Sequence, residues 1–209
     1  MISAAQWEEF DRWPKGLTID PADRKPWFML WWMVNPRHEI VFIEEWPETP
    51  FYQTPGKRSI DEYCEIITRV EKGDNRLARP IVNKVWPIMD PNYGRSPIGK
   101  SGVTLADELS SRGFYFDTSV NDDIWDRHLL VTSRLNMETI FFLPHLTNTI
   151  EAMERYIHRE YRNSPLAKDE RGREEYKDGA DCVGYTVVSD PQFFVGGGGP
   201  SFEMTPLGL

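Results

Sequence analysis

Residues 16–46 read GLTIDPADRKPWFMLWWMVNPRHEIVFIEEW. The first five, GLTID, form a short apolar run that stops at an acid, and Pro21 ends the extended segment. WFMLWWMV (27–34) and EIVFIEEW (39–46) follow, separated by the turn-like NPRH. Apolar runs of this length, rich in aromatic and β-branched residues and bounded by Pro and Asn, read as strands. Three consecutive strands, antiparallel to their neighbours, are the simplest arrangement.

Downstream the period changes. Ser59 and Glu62 form an S-x-x-E capping box, and Ile60, Tyr63, Ile67 and Val70 recur at helical spacing, which predicts a helix from about 60 to 71. RPIVNKVWPIMD (79–90) is a strand candidate broken late by Pro87 and ending on Asp90. SGVTLADELSSRG reads as a helix closed by Gly113, and FYF (114–116) as a short strand. Asn121 can cap a helix with Ile124, His128, Val131 and Leu135 on one face, and TIFFLP (139–144) is another strand. Thr147 caps a helix with Ile150, Met153 and Ile157 inward. The last helix, near 174–189, buries Ala180, Val183 and Val187 and presents Asp178 and Asp181 elsewhere on its surface. Strands first, then alternating strands and helices, predict an α/β fold: a mixed sheet, three antiparallel strands followed by parallel ones, with helices on both faces.

At 209 residues the chain suits one domain, expected over 15–190, after an amino-terminal linker or extension (1–14) and before a flexible tail (191–209) containing the Gly196–Gly199 run. A net charge of -9 and a pI near 5.0 argue against nucleic-acid binding by bulk electrostatics, but not against DNA held through bound metal ions. Cys64 and Cys182 both sit in helical periodicity, so neither a disulfide framework nor a thiolate zinc site is expected. MISAAQWEEFDRW is not a signal peptide, and Trp27–Val34 is too short to span a bilayer as a helix, so a soluble cytoplasmic protein is expected.

One local motif points to ATP. GRSPIGKS (94–101) matches G-x-x-x-x-G-K-S, whose backbone N–H groups cradle phosphates at a helix start. A working loop leaves a buried strand at its first glycine, whereas Asp90, Pro91, Asn92 and Tyr93 intervene here and no partner aspartate follows at the end of a suitable strand. The other reading is a polar loop with Arg95 and Lys100 free to contact some other phosphate.

The acids point elsewhere. Asp20 and Asp90 end strands, and Asp178 and Asp181 lie on the late helix. If those strands are sheet neighbours, their carboxyl ends converge and the helix adds further acids. Clustered carboxylates repel one another unless divalent cations lie between them, and oxygen-only ligands suit Mg²⁺ or Mn²⁺. Two such ions can hydrolyse a phosphodiester. The competing reading makes Asp20 and Asp90 turn-forming residues before proline and Asp178 a helix starter.

The order GLTIDPADRKPWFMLWWMV, EIVFIEEWP, IMDPNYGRSP, GVTLADELSSRGFYF, NDDIWDRHLLVTSRLN, IFFLPHLTNTIEAMERYI and YKDGADCVGYTVV resembles the carboxyl-terminal nuclease domain of tailed-bacteriophage terminase large subunits, over residues 15–189. The resemblance implies a ribonuclease-H-like fold, with Asp20, Asp90 and Asp181 as metal-binding catalytic acids and Asp178 as a fourth, holding two Mg²⁺ or Mn²⁺ ions. It implies cleavage of concatemeric double-stranded viral DNA in the host cytoplasm, with the terminase small subunit and the portal protein as partners. An ATPase motor precedes this domain in a complete subunit; no motor sequence precedes Leu17, so cutting without translocation is expected.

Arg24, Lys25, Arg95 and Lys100 lie near the proposed metals and are candidate DNA-phosphate contacts. Arg155, Arg159 and Arg162 share a helical face, but Glu151 precedes Arg155 by four, the spacing of a solvated pair. His128 reads as a core histidine, Trp31, Trp32 and Trp86 as core, and Glu44 and Glu45 as strand acids on opposite faces, of which at most one reaches the metals and most face solvent. Besides the terminase nuclease, a junction resolvase, a nucleotide-binding protein using Gly94–Ser101 and a non-catalytic DNA or portal docking module remain open.

Overall fold

The run FMLWWMV becomes strand β2 (Phe28–Val34), and every one of its residues is buried. Period-two alternation sends Met29, Trp31 and Met33 into one core and Phe28, Leu30, Trp32 and Val34 into another. A strand with no polar face belongs inside a sheet covered on both sides. The computed structural model, which describes residues 4–56, 58–98, 102–120, 123–162 and 174–194, has that arrangement.

β1 (Lys15–Asp20), β2 and β3 (Ile40–Trp46) pair antiparallel in succession. β4 (Lys84–Met89) adds parallel to β1, and β5 (Ile140–Phe142) parallel to β3, so the order across the sheet is β4-β1-β2-β3-β5. On one face α2 (Ile60–Glu71) contributes Tyr63, Ile67 and Val70 to the core, joined by Leu105 and Leu109 of α4 (Leu105–Ser110). On the other, α7 (Glu174–Val188) contributes Cys182, Val183, Tyr185 and Val187, beside Met153 of α6 (Thr147–Arg162). This is the α/β architecture expected of a ribonuclease-H-like chain, a mixed sheet between helical layers.

Close approach fixes β1 against β2: a Cβ on Gly16 would lie 2.1 Å from Trp32 Cζ2, so the indole occupies the place of a side chain. Trp32 Nε1 donates to Thr18 Oγ1 at 3.0 Å, and Thr18 and Thr186 share a 2.7 Å hydroxyl bond that ties β1 to α7.

Several local expectations change. The first fourteen residues contain α1 (Ala4–Arg12), and Phe10 and Trp13 pack against the α2-side core; Lys15 Nζ donates to the Phe10 and Trp13 carbonyls at 2.6 and 3.0 Å. The strand expected over 79–90 runs only from Lys84, because Ile81 N donates to Glu71 O and Asn83 has a positive φ of 60°. FYF (114–116) is not a strand: pairing with the outer edge of β4 falls at Asp117, which exchanges bonds with Pro87 O and Met89 N. In α5 (Ile124–Asn136) Asp123 is the cap, accepting from Trp125 and Asp126 N, while Asn121 lies outside the described residues. Its inward face is turned: Ile124 is 41% exposed, whereas Arg127 is buried and Val131 and Leu135 pack on the α7-side core. Among the described residues no helix is long and apolar enough to cross a membrane.

Candidate active site

Parallel pairing of β1 with β4 puts Ile19 opposite Met89, and Asp90 N donates to Ile19 O at 3.0 Å. Asp20 and Asp90 therefore leave adjacent strands at the same level. Asp90 is fixed further because its carboxylate caps the short helix α3 (Pro91–Gly94), accepting from Asn92 N at 2.8 Å. The Asp-Pro dipeptide accounts for that local structure: the aspartate caps, and proline at the first helical position has no N–H to leave unmet.

α7 supplies the other two acids. Gly179 lets this helix lie close to its neighbours, since a Cβ there would be 3.0 Å from Ala152 Cβ and 3.3 Å from Phe28 Cζ. Cys182 Sγ then lies 3.8 Å from both Thr18 O and Phe28 O, and Asp178 and Asp181 come down beside Asp20. All four aspartates are at most 8% exposed.

Burial pushes the Asp20 carboxyl well above the usual aspartate range, and Asp178, Asp181 and Asp90 push it further in the same direction. Burial also raises Asp178, against the Lys25 ammonium, and raises Asp181, against Arg127 and Lys177.

The two helix acids have resident cations. Lys25 Nζ is 2.5 Å from Asp178 Oδ1. Arg127 Nη1 is 3.2 Å from Asp181 Oδ1, and Lys177 Nζ is 3.4 Å from Asp181 Oδ2. The Arg127 guanidinium also sits 4.3 Å above the Tyr185 ring. Among the described residues no three His, Cys, Asp or Glu side chains are drawn into a ready-made metal-holding set, which is consistent with Lys25 and Arg127 engaging two of the four acids. The donor chemistry nevertheless fits a hard divalent cation: the carboxylates supply only oxygen, and Asp178 Oδ2 is buried without a hydrogen-bond partner.

The basic residues expected at DNA divide. Arg24 is exposed just after Asp20. Lys25 is turned inward to Asp178, and the Arg95 guanidinium donates to Thr118 O. Lys100 lies outside the described residues. Arg155 makes the expected pair with Glu151, at 2.6 Å. Glu44 and Glu45 overturn the expectation of solvent-facing strand acids: a register shift between Trp31 and Trp32 accompanies their burial on β3. Glu44 accepts from Arg76 N at 2.8 Å, and Glu45 accepts from Asn148 N, Thr149 N and Thr149 Oγ1 at the start of α6.

Geometry also bears on the phosphate-loop pattern. Gly94 ends α3 instead of leaving a strand, and a Cβ there would be 2.4 Å from Thr118 Cγ2, so this glycine serves packing.

No protein-family model and no curated protein matches the sequence. Solved structures do. The large terminase of a thermophilic bacteriophage superimposes with TM-scores of 0.57 and 0.58 in two crystal forms, at 15% identity, covering 84% of this chain. A structure of that terminase with ATP-γ-S gives 0.56 at 14% identity over 83% of this chain. The fold is terminase-like. The chain spans 39% of the length of those terminases. Within this terminase-like fold, Arg127 is the residue that sequence reasoning missed; its one signal is a charged side chain four residues before the inward Val131.

Proposed function

We propose that this chain is a metal-dependent endonuclease that cuts concatemeric double-stranded DNA during viral genome packaging in the host cytoplasm, acting as the nuclease part of a terminase large subunit. The observation that carries the reading is the convergence of four buried carboxylates from β1, the β4 end and α7 in a terminase-like fold. Asp20, Asp90 and Asp181 would hold two Mg²⁺ or Mn²⁺ ions, with Asp178 as a further ligand. Bound there, such ions supply Lewis-acid chemistry for phosphodiester hydrolysis.

The chain's own residues set the geometry. The β1–β4 ladder anchors the backbone at Asp20 and Asp90, and the bond that the Asp90 carboxylate accepts from Asn92 N limits how far that carboxylate can swing. Asp178 and Asp181 are carried on a helix tied to β1 through Thr186 and Thr18. Arg24, exposed beside Asp20, and Arg95 are the candidate phosphate contacts; Lys25 is assigned instead to neutralising Asp178. The terminase small subunit and the portal protein are the partners this reading entails.

The test is nicking and linearisation of supercoiled plasmid in Mg²⁺, Mn²⁺ or EDTA. Cutting in metal alone, reduced about 100-fold or more by Asp20→Asn and by Asp90→Asn in proteins that remain folded, is the expected result. No cutting by the unaltered chain in either metal would favour a docking module. Activity concentrated on four-way junctions would favour a resolvase.

A further inference from the structure

We infer that Arg127 is a positioning residue for the carboxylate site: it is the internal cation that holds Asp181 in the absence of metal, and by competing for that carboxylate it lowers the site's affinity for divalent ions. The metal part of this inference rests on the reading above; the counter-ion part does not.

Arginine is almost never buried without a partner, and Arg127 is 6% exposed. Three features of α7 receive it. Asp181 faces its Nη1 at 3.2 Å, Tyr185 lies under the guanidinium at 4.3 Å, and Gly184 leaves room, since a Cβ there would be 3.3 Å from Arg127 Cδ. These residues form one face of one helix, shaped to accept an arginine arriving from α5.

The contact is not that of a purely structural pair. Arginine–carboxylate pairs that serve architecture are commonly bidentate, with two parallel N–H···O bonds. Here Nε and Nη1 are both buried and neither has a hydrogen-bond partner, so charge holds Arg127 near Asp181 without a matched fork. Lys177 also reaches Asp181, at 3.4 Å, but its side chain is half exposed and water screens it. Arg127 is therefore the desolvated cation that a divalent ion must outcompete at Asp181, as Lys25 is at Asp178.

Two consequences differ from those of a scaffold residue. Removing the charge while keeping the bulk, Arg127→Met, takes away the cation that competes with a metal ion for the Asp181 carboxylate, so at a pH where that carboxylate is ionised Mn²⁺ alone binds about 10-fold more tightly, the scale on which an adjacent opposite charge shifts a carboxylate's proton affinity. A residue needed only for packing would weaken binding when removed. In metal-free buffer Arg127→Met lowers the melting temperature, and adding Asp181→Asn restores part of the loss because both members of the pair are then neutral.

The experiment measures free Mn²⁺ by electron paramagnetic resonance across a titration, and melting temperature in EDTA, for the unaltered chain, Arg127→Met, Arg127→Lys, Asp181→Asn and the Arg127→Met/Asp181→Asn double variant. Tighter Mn²⁺ binding by Arg127→Met, with Arg127→Lys close to the unaltered chain, supports the proposal. Unchanged or weaker binding by a folded Arg127→Met overturns it. If Arg127→Met does not fold, recovery of folding in the double variant supports the counter-ion, and failure of both overturns it. If the unaltered chain binds no Mn²⁺, the nuclease reading falls; the melting-temperature coupling between positions 127 and 181 then decides the counter-ion, its presence supporting it and additivity overturning it.

Discussion

Asp20 and Asp90 make no ion pair among the described residues, whereas Asp178 pairs with Lys25 and Asp181 with both Arg127 and Lys177. That asymmetry sets the pH behaviour of the metal-free protein. The Asp20, Asp178 and Asp181 carboxyls are raised above their unfolded values, so the folded state holds protons more firmly than the unfolded state. Their contribution to stability is then fully present below the ordinary aspartate range and is lost as pH rises through the elevated folded values. Melting scans in EDTA, taken upward in pH from the ordinary aspartate range, should show this decline, and saturating Mn²⁺ should flatten it. Asp20→Asn should raise the melting temperature in EDTA; a lower value would mean that Asp20 is not electrostatically frustrated. The four acids were legible because two follow apolar runs and precede proline and two share a helical face. Arg127 was not: the face of α5 read from Ile124, His128, Val131 and Leu135 holds at Val131 and Leu135, but Ile124 is 41% exposed and the buried position in that first turn belongs to a charged residue, which hydrophobic periodicity does not pick out.

Elements with strong local signals were read at their full extent. α2 begins at Ile60 after a Ser59–Glu62 capping box in which both reciprocal bonds form. Ser59→Ala should cost about 1 kcal/mol in chemical unfolding and leave plasmid cutting unchanged, because α2 lies on the sheet face away from α7. Elements set by tertiary contact were harder. FYF has strand composition, but β4 accepts a partner only at Asp117. Glu45 carries no local mark of its role, since the N–H groups it receives belong to a helix about a hundred residues later. Its carboxylate meets the amino end of α6, where unpaired donors and the helix dipole favour negative charge. Glu45→Ala should therefore destabilise the protein by about 3 kcal/mol, far more than the same change at an exposed acid such as Glu65.

At the scale of the whole molecule, the three-strand meander and the both-sided burial of β2 follow from residues 16–46, while the seating of β4 beside β1 was conditional. No periodicity states which edge a later strand joins; that depends on how α2 packs across the sheet. Gly16 is part of the answer, because its missing side chain admits Trp32 and draws Trp86 of β4 to a stacked distance of 6.1 Å. Gly16→Ala should cost about 1–3 kcal/mol by overpacking, read as a lower denaturant midpoint, and reduce metal-dependent cutting only in proportion to the unfolded fraction.

The strand order also carries a timetable. β1, β2 and β3 are joined by short connections and pair with immediate sequence neighbours, whereas β4 reaches β1 only after the chain has passed through α2. Loop closure delays such non-local pairings. Refolding should protect the amides of the meander first and those of the β1–β4 ladder later, in pulse-labelled hydrogen exchange. Asp20 and Asp90 would then remain apart, each in water, through most of the reaction. Their mutual repulsion enters only at the closing step, when the rest of the core is already formed to hold them.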